Sequence, residues 1–265
     1  MSTSIGIGNE LNRVIQNAMS ITFTQGELAQ LSHSSFEQTA TAIQSGDAEE
    51  IEVNYPIGYT PEKEPMLTSQ KYNKEDLIQR YNHLAFAQIP MNGIYQLVTI
   101  VEAMFSDLIR HIILFYPDKL SAKRQISLQD VLKASAIEEL HLLATNAFIH
   151  ELSYKSPTDF AKEAQSILSV NLLECPAFHK YIEMKATRDV LIHNMGIAND
   201  IYVGKAGSHA RVQAGQAIPI TQVYEACLQL IEWLEIEINK VWHSSEFEER
   251  RKTQTQTNKE SPSAG

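Results

Sequence analysis

The chain of 265 residues is poor in cysteine and has only Cys175 and Cys227. Two cysteines are too few for a disulfide framework or a four-cysteine metal site, so the sequence predicts neither. A chain with so few thiols is typical of a reducing compartment, and we expect a cytoplasmic location.

Long hydrophobic runs are also missing. No segment reaches the roughly 18 consecutive apolar residues that a membrane-spanning helix needs. The first residues, MSTSIGIGNELNR, lack the basic start and apolar core of a secretory signal. We therefore expect no membrane association.

Positive charge is scarce as well. The chain has 22 Lys and Arg against 32 Asp and Glu, a net charge of −10, which argues against nonspecific binding of nucleic acid. The charge is uneven, because residues 1–90 have 5 basic and 11 acidic side chains, whereas residues 176–215 have 5 basic and 3 acidic. The second segment is a weak indication of an anionic ligand, although a solvated face would have the same composition.

The N-terminal part is polar and acidic. Its pattern predicts two short helices, from Asn9 to Met19 and from Gly26 to Ile43. The stretch Ser45–Ser69 is rich in proline and glycine and predicts a long acidic loop with room for one strand, at Ile51–Tyr55. We expect residues 1–73 to form a partly helical extension and residues 248–265 to form a disordered polar tail.

Residues 74–247 have a helical period and predict an all-α domain, an antiparallel helical bundle. One stripe recurs at steps of three and four residues: Ile94, Leu97, Val98, Val101, Phe105, Leu108 and Ile112. Proline and capping residues then delimit further helices. The expected boundaries are an end at Pro117, starts at Ser127, Ser156 and Pro176, a helix at Ile137–Tyr154, and a final helix after Pro219.

One short stretch, RDVLIHNMG, concentrates residues with useful chemistry, beginning at Arg188 and Asp189 and including His193. Residues five apart on a helix point about 140° away from each other, so Arg188 and His193 diverge. Asp189 and His193 are four apart and share a face. The two diverging residues reach one target only if the long arginine bends round or two copies of the helix meet across a two-fold axis.

Gly196 fits the position just beyond a helix end, where glycine easily adopts a left-handed backbone. This places His193 in the last turn, near free carbonyl groups that favour its protonated form, and histidine is suited to proton transfer. Arg188 is suited to a phosphate because its planar fork stays charged and donates two hydrogen bonds. The same residue types also serve as ordinary caps and surface pairs, so the pattern alone leaves both interpretations open.

The longer stretch EMKATRDVLIHNMGIANDIYV resembles the signature of the HEPN superfamily. The matching positions are Arg188, Asp189, His193, Asn194 and Gly196. The upstream segment LVTIVEAMFSDLIRHIILFYPDKL resembles the first long helix of such domains, with Glu102 at its acidic position. The resemblance covers roughly residues 90–240.

The resemblance implies a metal-independent endoribonuclease of a prokaryotic defence or toxin system that needs no cofactor and acts as a homodimer. The Arg and His of both protomers would form the cleft, and the 2′-hydroxyl of RNA would attack the adjacent phosphate. His193 would be the general base or acid, and Arg188 would stabilise the developing charge. Asp189 would orient Arg188 or His193, and Asn194 would contact RNA or shape the turn.

One group of HEPN toxins has a tyrosine two residues after the histidine, which a partner nucleotidyltransferase modifies. Met195 stands at that position here, so we do not expect a pairing with that nucleotidyltransferase. An antitoxin or regulatory partner of another kind remains an expectation of the resemblance. Some HEPN domains have lost catalysis. The alternative function is therefore a noncatalytic module for dimerisation or ligand sensing.

Four further side chains are candidates for binding substrate phosphates. Lys185 precedes the motif, and Lys205, His209 and Arg211 follow it in the glycine-rich segment GKAGSHARVQAGQA. A solvated loop explains the last three equally well.

Overall fold

The computed structural model describes residues 7–120, 131, 134–220 and 223–243. This part of the chain is predominantly helical, as the sequence predicts. The helices are α1 (Ile7–Ser45), α2 (Lys74–His83), α3 (Ile89–Phe115), α4 (Ile137–Ser153), α5 (Pro157–Leu168), α6 (Pro176–His193), α7 (Asp200–Ala206) and α8 (Val223–Trp242). A π-helical turn, Leu84–Gln88, joins α2 to α3, and 3₁₀ turns lie at Pro117–Lys119, Leu172–Glu174 and Gly207–His209.

Helix α1 is continuous, and the prediction of two separate helices is wrong. Gly26 lies inside it, since a glycine costs a helix only about 1 kcal/mol relative to alanine. The first half buries Ile7, Leu11 and Ile15. These residues are four apart, so they form one apolar stripe.

The strand predicted at Ile51–Tyr55 is confirmed, but the long loop predicted around it is wrong, because the chain forms an antiparallel hairpin there. Strand β1 (Glu50–Tyr59) pairs with β2 (Pro65–Asn73). Prolines do not prevent it, because Pro56 lies beside a β-bulge and Pro65 begins β2, which are positions where a missing N–H is tolerated. Residues 60–64 form the turn, in which Lys63 donates its N–H to the Thr60 carbonyl at 2.9 Å.

Several helix boundaries of the C-terminal part are confirmed. The predicted stripe of α3 is buried along its whole length, and α3 ends before Pro117. Ser156 caps α5 by accepting the Asp159 N–H at 3.2 Å, and α6 begins at Pro176. The helix start predicted at Ser127 lies outside the described residues.

The described residues group into two compact units. The first combines the residues up to Phe23 with those from Gln96 onward, and the second is Thr24–Tyr95. Residue 73, where we expected a boundary, lies inside the second unit. Sequence order hides this grouping, because α1 and α3 each contribute to both units.

In the second unit, aromatic rings join the hairpin to α2. Tyr55 of β1 donates its hydroxyl to Tyr72 of β2 at 3.1 Å. The Arg80 guanidinium of α2 lies 5.9 Å and 5.7 Å from the centres of these two rings. Such cation–π contacts stabilise a two-stranded sheet that would be marginal alone.

In the first unit, α6 lies within an aromatic core. Phe105 of α3 contacts Phe160 of α5, with ring centres 5.4 Å apart, and also Phe178 and Tyr181 of α6. Phe178 and Tyr181 are both buried. This packing fixes the direction of α6, and therefore of the motif at its C-terminal end.

Candidate functional site

Arg188 lies on α6 with its guanidinium held between two carboxylates. Its Nη1 donates to Glu102 Oε2 of α3 at 2.8 Å, and its Nη2 donates to Asp189 Oδ1 at 3.0 Å. Burial alone would lower the pKa of Arg188, but the two carboxylates outweigh burial and raise it. The guanidinium is therefore fixed in position and stays charged.

Two lysines complete this group. Lys185 pairs with Glu102 at 2.6 Å, and Lys205 of α7 pairs with Asp189 at 2.9 Å. Burial would raise the pKa of Asp189, but hydrogen bonds from Lys205 and Arg188 outweigh it and lower the pKa. We call the five side chains, Glu102, Lys185, Arg188, Asp189 and Lys205, the charged cluster. Three cations share two carboxylates, so the cluster has a net charge of +1.

The charged cluster borders a cleft of about 600 Å³. The end of α4 and the beginning of α5 also line the cleft. We call their apolar side chains there the apolar wall, and they are Ile149, Leu152, Tyr154, Pro157 and Phe160. The polar residues Ser153, Lys155 and Ser156 lie among them, so the cleft combines charged, polar and apolar side chains.

His193 is exposed and does not line this cleft. It is the last residue of α6, and within the described residues it makes no hydrogen bond or ion pair. Asp189, expected one turn before it on the same face, directs its oxygens to Arg188 and Lys205 instead. A single copy of the chain therefore does not bring Arg188 and His193 together.

The residues after His193 shape a tight turn. Asn194 donates its side-chain amide to the Ile197 carbonyl at 2.5 Å. Gly196 has a φ of +78°, as the sequence predicts, and Met195 has a φ of +50°. Asn194 thus shapes the turn, which is one of the two roles that the resemblance implies for it.

Four apolar side chains close to His193 in the sequence are exposed. Ile192 is 55% exposed, Met195 97% and Ile201 67%, and Ile197 is exposed as well. We call these four residues the α6-end patch. Large exposed apolar side chains are common at contact surfaces between proteins.

The segment GKAGSHARVQAGQA is not one continuous loop, and its Arg211 contacts α6. Ala198 donates its N–H to the Gln216 carbonyl at 2.8 Å, and Ile218 donates to Gly196 at 2.9 Å. Part of the segment belongs to α7 and to the 3₁₀ turn after it. The segment and Ile218 just after it therefore hydrogen-bond to the backbone of Ala198 and Gly196, just after the motif helix.

Two of the candidate phosphate ligands, His209 and Arg211, do not line the cleft. Arg211 bonds Glu183 at 2.9 Å and Thr187 at 3.0 Å, both of them buried residues of α6. His209 stacks on His179, with ring centres 5.4 Å apart. The structure gives Arg211 a positioning role, while Lys185 and Lys205 do lie at the cleft.

Several residues of the site were not among the predicted site residues. In the sequence Glu102 is only an acidic position of the resemblance, although a carboxylate on an apolar helix face signals a buried partner. Glu183 carries the same signal on α6 and accepts from Tyr202 at 2.7 Å. No sequence pattern indicates that the apolar wall lies beside Arg188, because its residues are far from the motif in the sequence.

Comparisons of the chain with models of protein families, with curated proteins and with solved structures found no match. Among the described residues, no helix has the length and apolarity needed to cross a membrane. The same part of the chain contains no group of three His, Cys, Asp or Glu side chains that could hold a metal ion.

Proposed function

We propose that the protein is an endoribonuclease of the HEPN type, acting in a prokaryotic defence or toxin system, with a composite site between two copies of the chain. The motif residues Arg188 and His193 support it, together with a mainly helical fold in which Glu102 reaches Arg188. Metal independence follows from the resemblance and is part of the test.

The observation that carries the proposal is the separation of Arg188 and His193 on one helix. Arg188 lies in the cleft, whereas His193 is exposed beyond it. If two α6 ends meet across a two-fold axis, each His193 approaches the neighbouring copy and the site becomes complete. The α6-end patch supplies apolar surface for this contact, since Met195 and Ile192 would be buried by it.

The chemistry is transfer of the phosphodiester to the neighbouring 2′-oxygen. A His193 imidazole takes the proton of the 2′-hydroxyl, and the 2′-oxygen forms a bond to phosphorus. The bond to the 5′-oxygen breaks, and that oxygen takes the proton back from the protonated His193. The products are a 2′,3′-cyclic phosphate and a 5′-hydroxyl.

The charged cluster stabilises the transition state. Arg188 donates to the equatorial phosphoryl oxygens as their negative charge grows. Glu102 and Asp189 hold the guanidinium in place beforehand, so that little reorganisation is needed when the substrate reacts. Asp189 therefore orients Arg188, which is one of the two roles that the resemblance implies for it.

One observation favours the alternative, a noncatalytic module for dimerisation or ligand sensing. The Arg188 guanidinium already bonds Glu102 and Asp189, which is the arrangement of a structural ion pair. In that case His193 would have no proton to transfer, and the α6-end patch would serve association alone.

The test is incubation of the purified protein with total RNA in the presence of EDTA. We expect cleavage that leaves 5′-hydroxyl ends and is abolished in Arg188→Ala and His193→Ala proteins with unchanged circular dichroism. His83→Ala is the matched control, because His83 is an exposed histidine that ends α2. Full cleavage by either motif variant would overturn the ribonuclease, and absence of cleavage by the intact dimer would favour the alternative.

A further inference from the structure

The second unit, Thr24–Tyr95, buries few apolar side chains for its length. Within this stretch, all of which the structure describes, the buried apolar side chains are Ala40, Leu77, Ala85 and Ile94. Large apolar side chains of the same unit are exposed, among them Leu28, Leu31, Tyr59, Leu67 and Phe86. A unit with so small a core gains stability when a partner covers part of its exposed apolar surface.

The hairpin of this unit covers one of its two faces. Ile51, Val53 and Tyr55 alternate along β1 and are half-buried on the inner face, where the Arg80 guanidinium of α2 lies over the Tyr55 ring. The residues between them, and their cross-strand partners on β2, point the other way. We call that side the outer face.

Six exposed residues define the outer face. Glu52 pairs with Lys71 across the strands and Pro56 pairs with Leu67, while Glu50 precedes Glu52 by two positions. Beyond the bulge, Tyr59 pairs with Pro65 and joins the same face, because Pro65 lies two positions from Leu67. The six residues are Glu50, Glu52, Pro56, Tyr59, Leu67 and Lys71, and all of them are exposed.

The outer face has an apolar end and an acidic end. Tyr59 is 69% exposed and Leu67 is 55% exposed near the turn of the hairpin, whereas Glu50 and Glu52 lie at the far end of β1. Tyrosine is enriched among the residues that contribute most to binding between proteins. The face therefore offers an apolar anchor with carboxylates beside it.

Charge indicates the kind of partner. Residues 24–95 have 4 Lys or Arg and 10 Asp or Glu, a net charge of −6 out of −10 for the whole chain. This charge repels nucleic acid and anionic lipid. A second copy of the same face would bring together two surfaces of the same negative charge. A positively charged protein segment is the complementary partner.

We propose that the outer face binds a basic segment of another protein. Apolar side chains of that segment cover Tyr59 and Leu67, and its lysines or arginines pair with Glu50 and Glu52. The outer face lies outside residues 90–240, which the HEPN resemblance covers. Binding there does not depend on the proposed cleavage of RNA.

The first test is selection from a phage-displayed library of random short peptides on the immobilised full-length protein. We expect enrichment of peptides that combine Lys or Arg with aliphatic or aromatic residues. These peptides should fail to bind Tyr59→Ser and Leu67→Ser proteins with unchanged circular dichroism. Leu31→Ser is the control and should retain them, since Leu31 is an exposed residue of α1 in the same unit.

The affinity of one enriched peptide, made synthetically, is measured by fluorescence anisotropy. Tyr59→Ser should weaken binding roughly tenfold, and the double variant Glu50→Gln, Glu52→Gln should weaken it roughly fivefold. Glu27→Gln removes an exposed carboxylate of α1 in the same unit and should stay within about twofold. High salt should reduce the difference between the wild-type protein and the double variant, because it screens the exposed charges.

Several results would overturn the proposal. They are enrichment of no peptide, enrichment of acidic peptides, and equal binding of the enriched peptides by the wild-type and Tyr59→Ser proteins. Light scattering tests for a second copy, since a lower mass of the Tyr59→Ser protein would assign the outer face to self-association and also overturn it. A protein that selects basic peptides through the hairpin but does not cleave RNA would support this proposal and overturn the ribonuclease.

Discussion

Glu102 of α3 and Arg188 of α6 are joined by an ion pair of 2.8 Å across 86 positions of the sequence. The contact links the first long helix of the domain to the motif, and it leaves Glu102 bridging two cations, because Lys185 bonds its other oxygen at 2.6 Å. Glu102 is therefore the residue through which α3 determines the position of Arg188.

Substitution of Glu102 by glutamine should affect activity more than stability. The pair is partly exposed, so we expect a loss of about 1 kcal/mol in the free energy of unfolding. Cleavage of RNA should fall roughly ten- to hundredfold, because a guanidinium without its anchor no longer meets the phosphate in the reactive geometry.

Urea unfolding and RNA cleavage measure the two effects of Glu102→Gln. Glu237→Gln is the control, since it breaks the exposed Lys240–Glu237 pair of 2.6 Å on α8 and should change neither quantity appreciably. Equal activity of Glu102→Gln and the wild-type protein would show that Glu102 does not position Arg188.

Asp189 should make the stability of the fold depend on pH in the acid range. Hydrogen bonds from Lys205 and Arg188 lower the pKa of Asp189 despite its burial. A carboxyl whose pKa is lower in the folded state than in the unfolded state stabilises the protein at pH values above its unfolded-state pKa of about 3.9. This contribution is lost as the pH falls through the folded-state pKa.

Comparison of the wild-type protein with Asp189→Asn tests this dependence. The difference in the free energy of unfolding should be constant near neutral pH and should narrow below about pH 4. If the difference between the two proteins stays the same well below about pH 4, the ionised Asp189 contributes nothing to the free energy of unfolding.

Gly196 should resist substitution because of its backbone conformation. Its φ is +78°, and an added Cβ would lie 3.3 Å from Leu191 Cδ2. Gly196→Ala should therefore lower the free energy of unfolding by about 1–2 kcal/mol. Gly204 lies in α7 with nothing within 4 Å of an added Cβ, so Gly204→Ala should be neutral or stabilising by up to about 1 kcal/mol.

Urea denaturation of these two glycine variants gives the comparison directly. A Gly196→Ala protein as stable as Gly204→Ala would contradict the left-handed turn after α6. The turn matters to the site, because it ends α6 at His193 and exposes that side chain.

Local sequence signals predict much of the helical frame. Ser156 and Pro157 mark the start of α5, Pro176 marks the start of α6, and Gly196 marks the turn after α6, because capping and backbone preferences act within a few residues. The apolar stripe of α3 is equally local. These elements include the helix that bears the motif.

Long-range pairings are what the sequence does not reveal. The second strand of the hairpin is not predicted, because Pro56 and Pro65 favour a loop until their strand partners are known. The sequence leaves Arg211 open as a ligand of substrate phosphates or as part of a solvated loop, whereas its partner in the structure is Glu183, 28 positions away. The prediction that Arg188 and His193 diverge is a matter of helix geometry, and the structure places only Arg188 at the cleft.

The α6-end patch should control association. Met195 is almost fully exposed in one copy of the chain, and a second copy seated there would bury it. Met195→Asp should convert a dimer to a monomer, because a charge without a partner would be desolvated in the contact. Light scattering coupled to size-exclusion chromatography measures the mass, with Ile236→Asp on exposed α8 surface as the control. A Met195→Asp protein that remains dimeric would place the contact elsewhere.

The most direct test of the composite site is to mix two inactive proteins. Arg188→Ala and His193→Ala subunits should each fail to cleave RNA alone. After exchange of subunits, mixed dimers combine an intact Arg188 from one copy with an intact His193 from the other, and we expect cleavage in EDTA well above that of either variant. A mixture that exchanges subunits fully and stays as inactive as its components would contradict the shared site.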